Sequence, residues 1–290
     1  MVSLVKRKKG NKVYYYLRHD DGKVQREIYA GKKIPKNIQE LRRNFYLRIL
    51  RKGWIQELKK IKQRHSAFLK ATPKAEIDNR QEIFSYDFTH DSNKIEGSSL
   101  TKQETRKLLR FRLTPTNKPE SDMIEAKNHH ALFLEMIAKK IPICSKSVLR
   151  LHYNLFHDTK PQFAGKIRSS RIVVRGSKSA FPHPRFVPAL LDQFFKWYGS
   201  AKRKEDPVEL AGLVHFRFVS IHPFGDGNGR ISRLLMNNVL NEFDYPMLNI
   251  KYSDRYHYYN ALENAQTGLD EIVFLKWFVD YYIRHVGVWS

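Results

Sequence analysis

The chain has 290 residues, of which 53 are Lys or Arg and 29 are Asp or Glu, giving a formal net charge of +24. Hydrophobic residues at 41% and aromatics at 13% exclude a disordered polycation and provide for a sizeable buried core. The single cysteine, Cys144, excludes an internal disulfide or a zinc site with two thiolates, and no apolar run approaches the roughly 18 residues of a membrane span.

The first ten residues are basic and lack the apolar core of a secretion signal, so a cytoplasmic chain with no membrane association is expected. Residues 12–18 and 23–29, on either side of Asp20-Asp21-Gly22, predict a β-hairpin. From 37 to 70, Leu41, Phe45, Leu47, Leu50, Trp54, Leu58 and Ile61 recur mostly at three or four residues, which predicts a long amphipathic helix ending near Thr72-Pro73. Residues 1–75 hold 22 Lys+Arg against 5 Asp+Glu, a net +17, whereas residues 76–290 hold 31 against 24, a net +7. This asymmetry suggests a basic module joined to an ordinary domain. Its expected partner is a polyanion, most plausibly nucleic acid; the plainer reading is a solvated basic face. A hairpin with interleaved Tyr and Lys/Arg loosely resembles the small β-sheet DNA-binding modules at the front of some integrases and transposases.

Beyond residue 76 the pattern is helical. One helix is expected over 82–92, and Thr101 with Glu104 forms a capping box that starts another, running through Leu109. Further helices are expected over 121–140, 145–156, 189–198, 207–221, 230–241, 255–265 and 270–286. Residues 165–188 are the exception: Ile172-Val173-Val174, Gly176 and the prolines 182, 184 and 188 predict a short extended hairpin or loop. The expected fold is mainly α, with a basic β-hairpin and helix module (1–75), a linking helical region (76–120) and a helical core domain (121–290).

The chemistry concentrates in His222-Pro223-Phe224-Gly225-Asp226-Gly227-Asn228-Gly229-Arg230-Ile231-Ser232-Arg233. Its glycines allow positive φ between one helix and the next, and free amides at a helix N-terminus make an anion site. Asp226 is a hard oxygen donor for Mg²⁺. Asn228 can donate to a phosphate oxygen, and Arg230 and Arg233 add charged forks. His222 can take a hydroxyl proton near neutral pH. Singly each residue has an ordinary structural role; together they suggest transfer from a nucleotide phosphate to a hydroxyl.

This run resembles the motif of the Fic family, HPFx(D/E)GNGRxxR, at every specified position. Leu151-His152, Gly165, Arg168, 181–184, Val187-Pro188, His215, Phe218-Val219 and 258–262 follow the family's landmarks in order, so the resemblance covers roughly 80–286. It implies an all-helical domain with a short β-hairpin flap that transfers AMP from ATP to a Ser, Thr or Tyr hydroxyl of a target protein, the chain itself included. His222 would be the base and Asp226 the ligand of Mg²⁺ (or Mn²⁺). Gly227, Asn228 and Gly229 would stabilise transition-state charge, Arg230 would hold phosphate oxygens and Arg233 the γ-phosphate. Ile172, Val173, Val174, Arg175, Gly176 and Ser177 would form the flap that registers the target backbone, and Tyr258 and Tyr259 would sit near the adenine or, equally, pack in the core.

Ser92-Asn93-Lys94-Ile95-Glu96-Gly97 resembles the family's inhibitory pattern (S/T)xxxE(G/N). The resemblance implies that Glu96, one helical turn from Ser92, pairs with Arg233 and takes the place of the γ-phosphate. Three readings stay open: an autoinhibited adenylyltransferase; a deAMPylase, or a transferase of another nucleotide or phosphate group; and a DNA-binding regulator in which this domain is secondary. Whether the chain forms a homodimer is also open. The 12 histidines show no metal-binding spacing, since His129 and His130 are adjacent and point apart on a helix.

Overall fold

The computed structural model describes residues 2–22, 24–173 and 178–286. The chain divides into two units, Met1–Lys60 and Ile61–Ser290.

In the first unit β1 (Val2–Lys9), β2 (Lys12–Asp20) and β3 (Gln25–Gly31) form an antiparallel sheet in that order. The expected hairpin is β2–β3. Its turn is fixed by Gly22 at φ +82°, whose N–H donates to Asp20 Oδ1 at 2.9 Å. β1 is an addition to the expectation. The cations at 6–9 show no apolar alternation, so the strand is created by pairing: Val2 lies opposite His19 and Lys9 opposite Lys12, around Gly10 at φ +59°. Leu17 is fully buried, and His19 rests on Tyr46 of α1 (Ile38–Ala71) with ring centroids 5.3 Å apart. The odd-numbered residues of β2 therefore face the helix. α1 begins in the first unit and ends in the second, burying Phe45, Trp54 and Leu58.

The second unit continues with α2 (Lys74–Ile95), α3 (Lys102–Phe111), α4 (Glu120–Lys139), α5 (Ser145–Phe156), α6 (Val187–Ala201), α7 (Pro207–Ile221), α8 (Asn228–Glu242), α9 (Arg255–Thr267) and α10 (Glu271–His285). Several start at local signals. Thr101 and Glu104 make the capping box of α3, while Asp206 and Asp270 cap α7 and α10 by accepting from Val208 N (2.9 Å) and Ile272 N (3.0 Å). α7 and α8 are buried almost all round and form the centre of this unit. α10 packs closely on α7 because Gly212 has no side chain: a Cβ there would lie 2.6 Å from the Phe278 ring. Asn237 of α8 holds the backbone of Leu248, donating to its carbonyl (3.0 Å) and accepting from its N–H (2.8 Å). Within 165–188 the described residues contain no strand; a short helical turn at Pro184–Phe186 leads into α6 at Val187, and residues 174–177, most of the expected flap, lie outside the described residues. No described helix is long and apolar enough to cross a membrane.

Candidate active site

The two central helices meet in one tight loop. α7 ends as His222 turns into the left-handed region (φ +51°), and α8 begins after Gly227 (φ +76°). A Cβ at Gly227 would collide with the Phe156 ring, so glycine serves both the backbone angle and the packing. The loop is braced from inside. Asn228 Oδ1 accepts from Phe224 N and Asn228 Nδ2 donates to Phe224 O, both at 2.9 Å. His152 stacks on Phe224 at 3.7 Å, donates from Nε2 to the Asp226 carbonyl (3.0 Å) and accepts at Nδ1 from Gly165 N (2.9 Å). Arg168 donates to the carbonyls of His222 (2.7 Å), Ser170 (3.0 Å) and Pro182 (2.6 Å).

His222 donates from Nδ1 to the Val219 carbonyl at 3.2 Å, which leaves the Nε2 lone pair unused. Its ring lies 4.1 Å from that of Phe181. Burial pushes its pKa down to about 4, against a smaller upward pull from the Val219 bond, so the imidazole is neutral at pH 7. A neutral, oriented imidazole can accept a proton.

Asp226 Oδ2 accepts from Lys160 Nζ at 2.6 Å, and Oδ1 accepts from Gly227 N at 2.5 Å. Burial alone would raise its pKa, but Arg230 and Lys160 outweigh it and hold the carboxyl below its usual range. Lys160 also pairs with Glu125 (3.0 Å). Among the described residues no three His, Cys, Asp or Glu cluster as an all-protein metal cage. One ionised, partly exposed carboxylate does suit Mg²⁺ in its usual mode, in which waters and substrate phosphates complete the shell.

Arg233 is 1% exposed. It donates from Nε to Ser92 Oγ (3.0 Å), from Nη2 to the Ser92 carbonyl (2.9 Å) and to Glu96 Oε1 (2.7 Å), and from Nη1 to the Tyr258 hydroxyl (3.3 Å). Burial opposes this charge, but Tyr258 and Glu96 outweigh it, and the guanidinium stays ionised. Glu96 is positioned by the end of α2, where Gly97 (φ +100°) donates to Lys94 O and Ser98 N to Asn93 O, each at 3.1 Å. A Cβ at Gly229 would collide with Glu96 Oε1. The Glu96 carboxylate therefore lies against the first turn of α8, which has no side-chain N-cap.

The structure thus gathers His222, Asp226, Gly227, Gly229, Arg233, Ser92 and Glu96. At three of the expected positions the side chain is engaged inside the protein. The Asn228 side chain is turned inward and engaged with Phe224, so it braces the loop instead of facing a phosphate. Arg230, 3% exposed, donates to Glu125 Oε2 and to Asn93 Oδ1 (3.2 Å) and lies over the Phe156 ring; desolvation is tolerable there only because those acceptors face it. Tyr258, 1% exposed, bonds His215 Nε2 (3.0 Å) and Arg233, so it buttresses the arginine from the core. Tyr259 is 43% exposed and donates to the Ile95 carbonyl (2.8 Å) at the end of α2. Of the flap, Ile172 is half-buried and Val173 exposed; Val174, Arg175, Gly176 and Ser177 fall outside the described residues. Glu125 and Lys160 escaped sequence reasoning, because they come from separate segments with no shared local pattern. His152, Arg168 and His215 stood out only as landmarks without a role.

Residues 142–240 match the model of the Fic/DOC family. Protein adenylyltransferase Fic from Drosophila melanogaster is 34% identical over 178 residues, which are 60% of this chain and 36% of that protein. The same protein from Drosophila grimshawi is 33% identical over the same length. The chain thus spans about a third of the length of these relatives (35–36%). The crystal structure of a Fic domain containing signaling protein from Bacteroides thetaiotaomicron superposes with a TM-score of 0.70 at 28% identity, covering 79% of this chain and 94% of that one. Fic-1 from C. elegans shares the fold, with a TM-score of 0.70 at 21% identity over 86% of this chain and 75% of that one.

Proposed function

We propose that this chain, which carries a Fic/DOC-family domain over residues 142–240, is a protein adenylyltransferase held in check by Glu96. The observation that carries the reading is the loop joining α7 to α8. A neutral imidazole with a free Nε2, an ionised carboxylate, an uncapped helix N-terminus and a buried guanidinium stand within one run of twelve residues. The naming of the relatives as adenylyltransferases supports the same reading.

In this proposal ATP binds with its phosphates at the first turn of α8. His222 Nε2 takes the proton of the acceptor hydroxyl as its oxygen bonds to the α-phosphorus. The bond from that phosphorus to the bridging oxygen breaks, and pyrophosphate leaves. A divalent cation on Asp226 would supply positive charge toward the phosphates. The amides of the first turn of α8 face charge developing on the phosphoryl oxygens. Arg168 and His152 act one step back, by fixing the backbone of His222 and Asp226. Glu96 offers Arg233 and α8 a carboxylate where a phosphate would bind, so ATP competes with the protein's own side chain.

The test is mass spectrometry of the Glu96→Gly chain incubated with ATP and Mg²⁺, with Glu96→Gly/His222→Ala as control. An adduct with the mass of AMP less water, on the chain itself or an added acceptor and absent from the control, supports the proposal. A terminal-phosphate adduct, or AMP transfer that survives loss of His222, overturns it.

A further inference from the structure

We propose that the outer face of the N-terminal sheet binds single-stranded nucleic acid, with its tyrosines stacking on bases and its β1–β2 end holding phosphates. The sheet is two-sided. Odd-numbered residues of β2 turn toward α1, as Leu17 and His19 show by their burial. The register places the even-numbered residues of β2 on the opposite face with their cross-strand partners: Tyr16 opposite Tyr29, Arg18 opposite Glu27, and Arg7 opposite Tyr14. Three rings adjoin there. Tyr29 lies 5.5 Å from Tyr16 and 6.3 Å from Tyr14, and is 53% exposed. Rings of this size are normally put inside; on this sheet they are displayed on the side away from the helix.

Charge lies beside the rings. Lys6, Arg7, Lys8 and Lys9 end β1, Lys12 opens β2, and all five are exposed at one end of the sheet; Arg7, Lys9 and Lys12 lie on the ring face, Lys6 and Lys8 on the side of Val13 and Tyr15. The pairing of both Lys6 and Gly31 with Tyr15 brings the end of β3, followed by exposed Lys32 and Lys33, to that same end. Glu27, the carboxylate beside the rings, is held by Arg7 (2.8 Å) and Arg18 (2.5 Å), which neutralise it; the other carboxylate of this face, Asp20, lies at the opposite end of β2 from Lys9 and Lys12. Residues 1–60 carry 18 Lys+Arg against 5 Asp+Glu, a net +13. The cations alone would suit any polyanion. The rings narrow the choice: Tyr29 is exposed and tilted 50° and 58° from its two neighbours, and an exposed ring gains most from planar partners that are not already stacked, which unpaired bases offer.

The full chain is titrated against fluorescein-labelled 20-mers of dT and U, the matching duplex and heparin, from 50 to 300 mM salt, by fluorescence anisotropy. The single strands are expected to bind more tightly than the duplex, with affinity falling linearly in log–log salt. Tyr29→Ala should weaken single-strand binding by about tenfold or more, while Tyr29→Phe keeps it. Should Tyr29→Ala alter the circular dichroism of the chain, Tyr29→Leu, which keeps apolar cover without a π-face, takes its place. Lys9→Glu with Lys12→Glu, the cross-strand pair on the ring face, should lower the salt slope by roughly 0.7 for each phosphate contact removed. Absence of binding at 50 mM salt overturns the proposal. Equal binding of duplex and heparin that is indifferent to the tyrosine variants also overturns it, and makes the face a polyanion surface only.

Discussion

Replacing Glu96 by glycine changes two quantities in opposite directions, and both follow from one contact. In the free protein the Glu96 carboxylate lies 2.7 Å from Arg233 Nη2. A hydrogen bond between charged partners contributes roughly 1.5–3 kcal/mol net. A triphosphate that takes Arg233 must first displace it, so removing it should raise kcat/KM for ATP by about 10- to 150-fold. The free protein meanwhile loses the carboxylate paired with a guanidinium that is 1% exposed. The bonds to Ser92 and Tyr258 remain, so the cost stays below the roughly 3–5 kcal/mol of stripping a buried charge bare. A loss of about 2 kcal/mol corresponds to a drop in Tm of roughly 4–8 °C for a unit of this size.

The assay pairs initial rates of AMP transfer from α-labelled ATP with Tm measured with and without ATP. The variant should label faster, melt lower and gain more Tm from ATP than the parent does, because the nucleotide replaces the missing charge. Glu96→Gln, which keeps an acceptor but removes the charge, should fall between the two. Unchanged labelling, or a variant that melts no lower than the parent, refutes the reasoning.

His222→Ala should abolish AMP transfer while leaving ATP affinity within about twofold; in a parent whose base is neutral from pH 5.5 upward, single-turnover rates should be flat above that pH, and a rate that climbs through pH 6.5 would contradict the depressed His222 pKa. Stability has its own pH window. His130, His152 and His222 are held to about 4 by burial, and His129 and His215 lie well below 6.5 for the same reason. The unfolded chain therefore binds more protons between 4 and 6.5, and stability is complete above 6.5 and lost as pH falls toward 4. His130, His152 and His222 each withdraw roughly 1 kcal/mol at pH 5.5, so Tm should fall by about 6–12 °C between pH 7.5 and 5.5, with His129 and His215 acting in the same direction; calorimetry showing no fall contradicts this. Lys160→Ala removes the cation now on Asp226 Oδ2 and should tighten Mn²⁺ binding, followed by electron paramagnetic resonance, by about two- to fivefold, a modest gain because both side chains are partly exposed. Tyr258→Phe should raise KM for ATP through a less well-held Arg233 without altering the preference for ATP over GTP; a changed preference would mean that the ring touches the base after all.

What was legible in the sequence is what the backbone decides locally. The His222–Gly229 loop needs positive φ at fixed places, a capping box needs two residues three apart, and a turn needs Gly22; each leaves its mark in the local text. What the local text does not show is where a side chain points. Asn228 and Arg230 lie on the first turn of α8 with Gly229 between them, but Phe224, Asn93 and Glu125 draw them inward. Asn93 and Glu125 sit on other helices and leave no trace near residue 230, and the nearby Phe224 engages Asn228 through its backbone, which any residue type offers. Tyr258 was more readable than it looked. With Ala261, Leu262 and Ala265 it forms an i, i+3, i+4, i+7 stripe, the signature of a buried face, and all four are buried. β1 could not be read, because a run of cations becomes a strand only when β2 is there to pair with it.

Under the proposed inhibition by Glu96, the two ends of its contact with Arg233 make inhibition and stability hard to separate. α8 begins without a side-chain cap and carries Arg233 inside the core, so its first turn needs an anion whether or not nucleotide is present. α2 supplies one from its last turn, and Gly229 leaves it room. A protein that met this need with a fixed internal carboxylate would be stable but closed to phosphate. One that left it unmet would be open but would leave a buried charge unpaired. Glu96 stands between these cases: its side chain is 24% exposed at the end of a helix, so on leaving Arg233 it can be solvated by water, while Arg233, 1% exposed, cannot. The mobile partner of the pair is therefore the acid. Substitutions that loosen the turn at Gly97–Ser99 should activate the chain without touching either charge, whereas substitutions at Ser92 or Tyr258 should weaken Arg233 and lower activity and stability together.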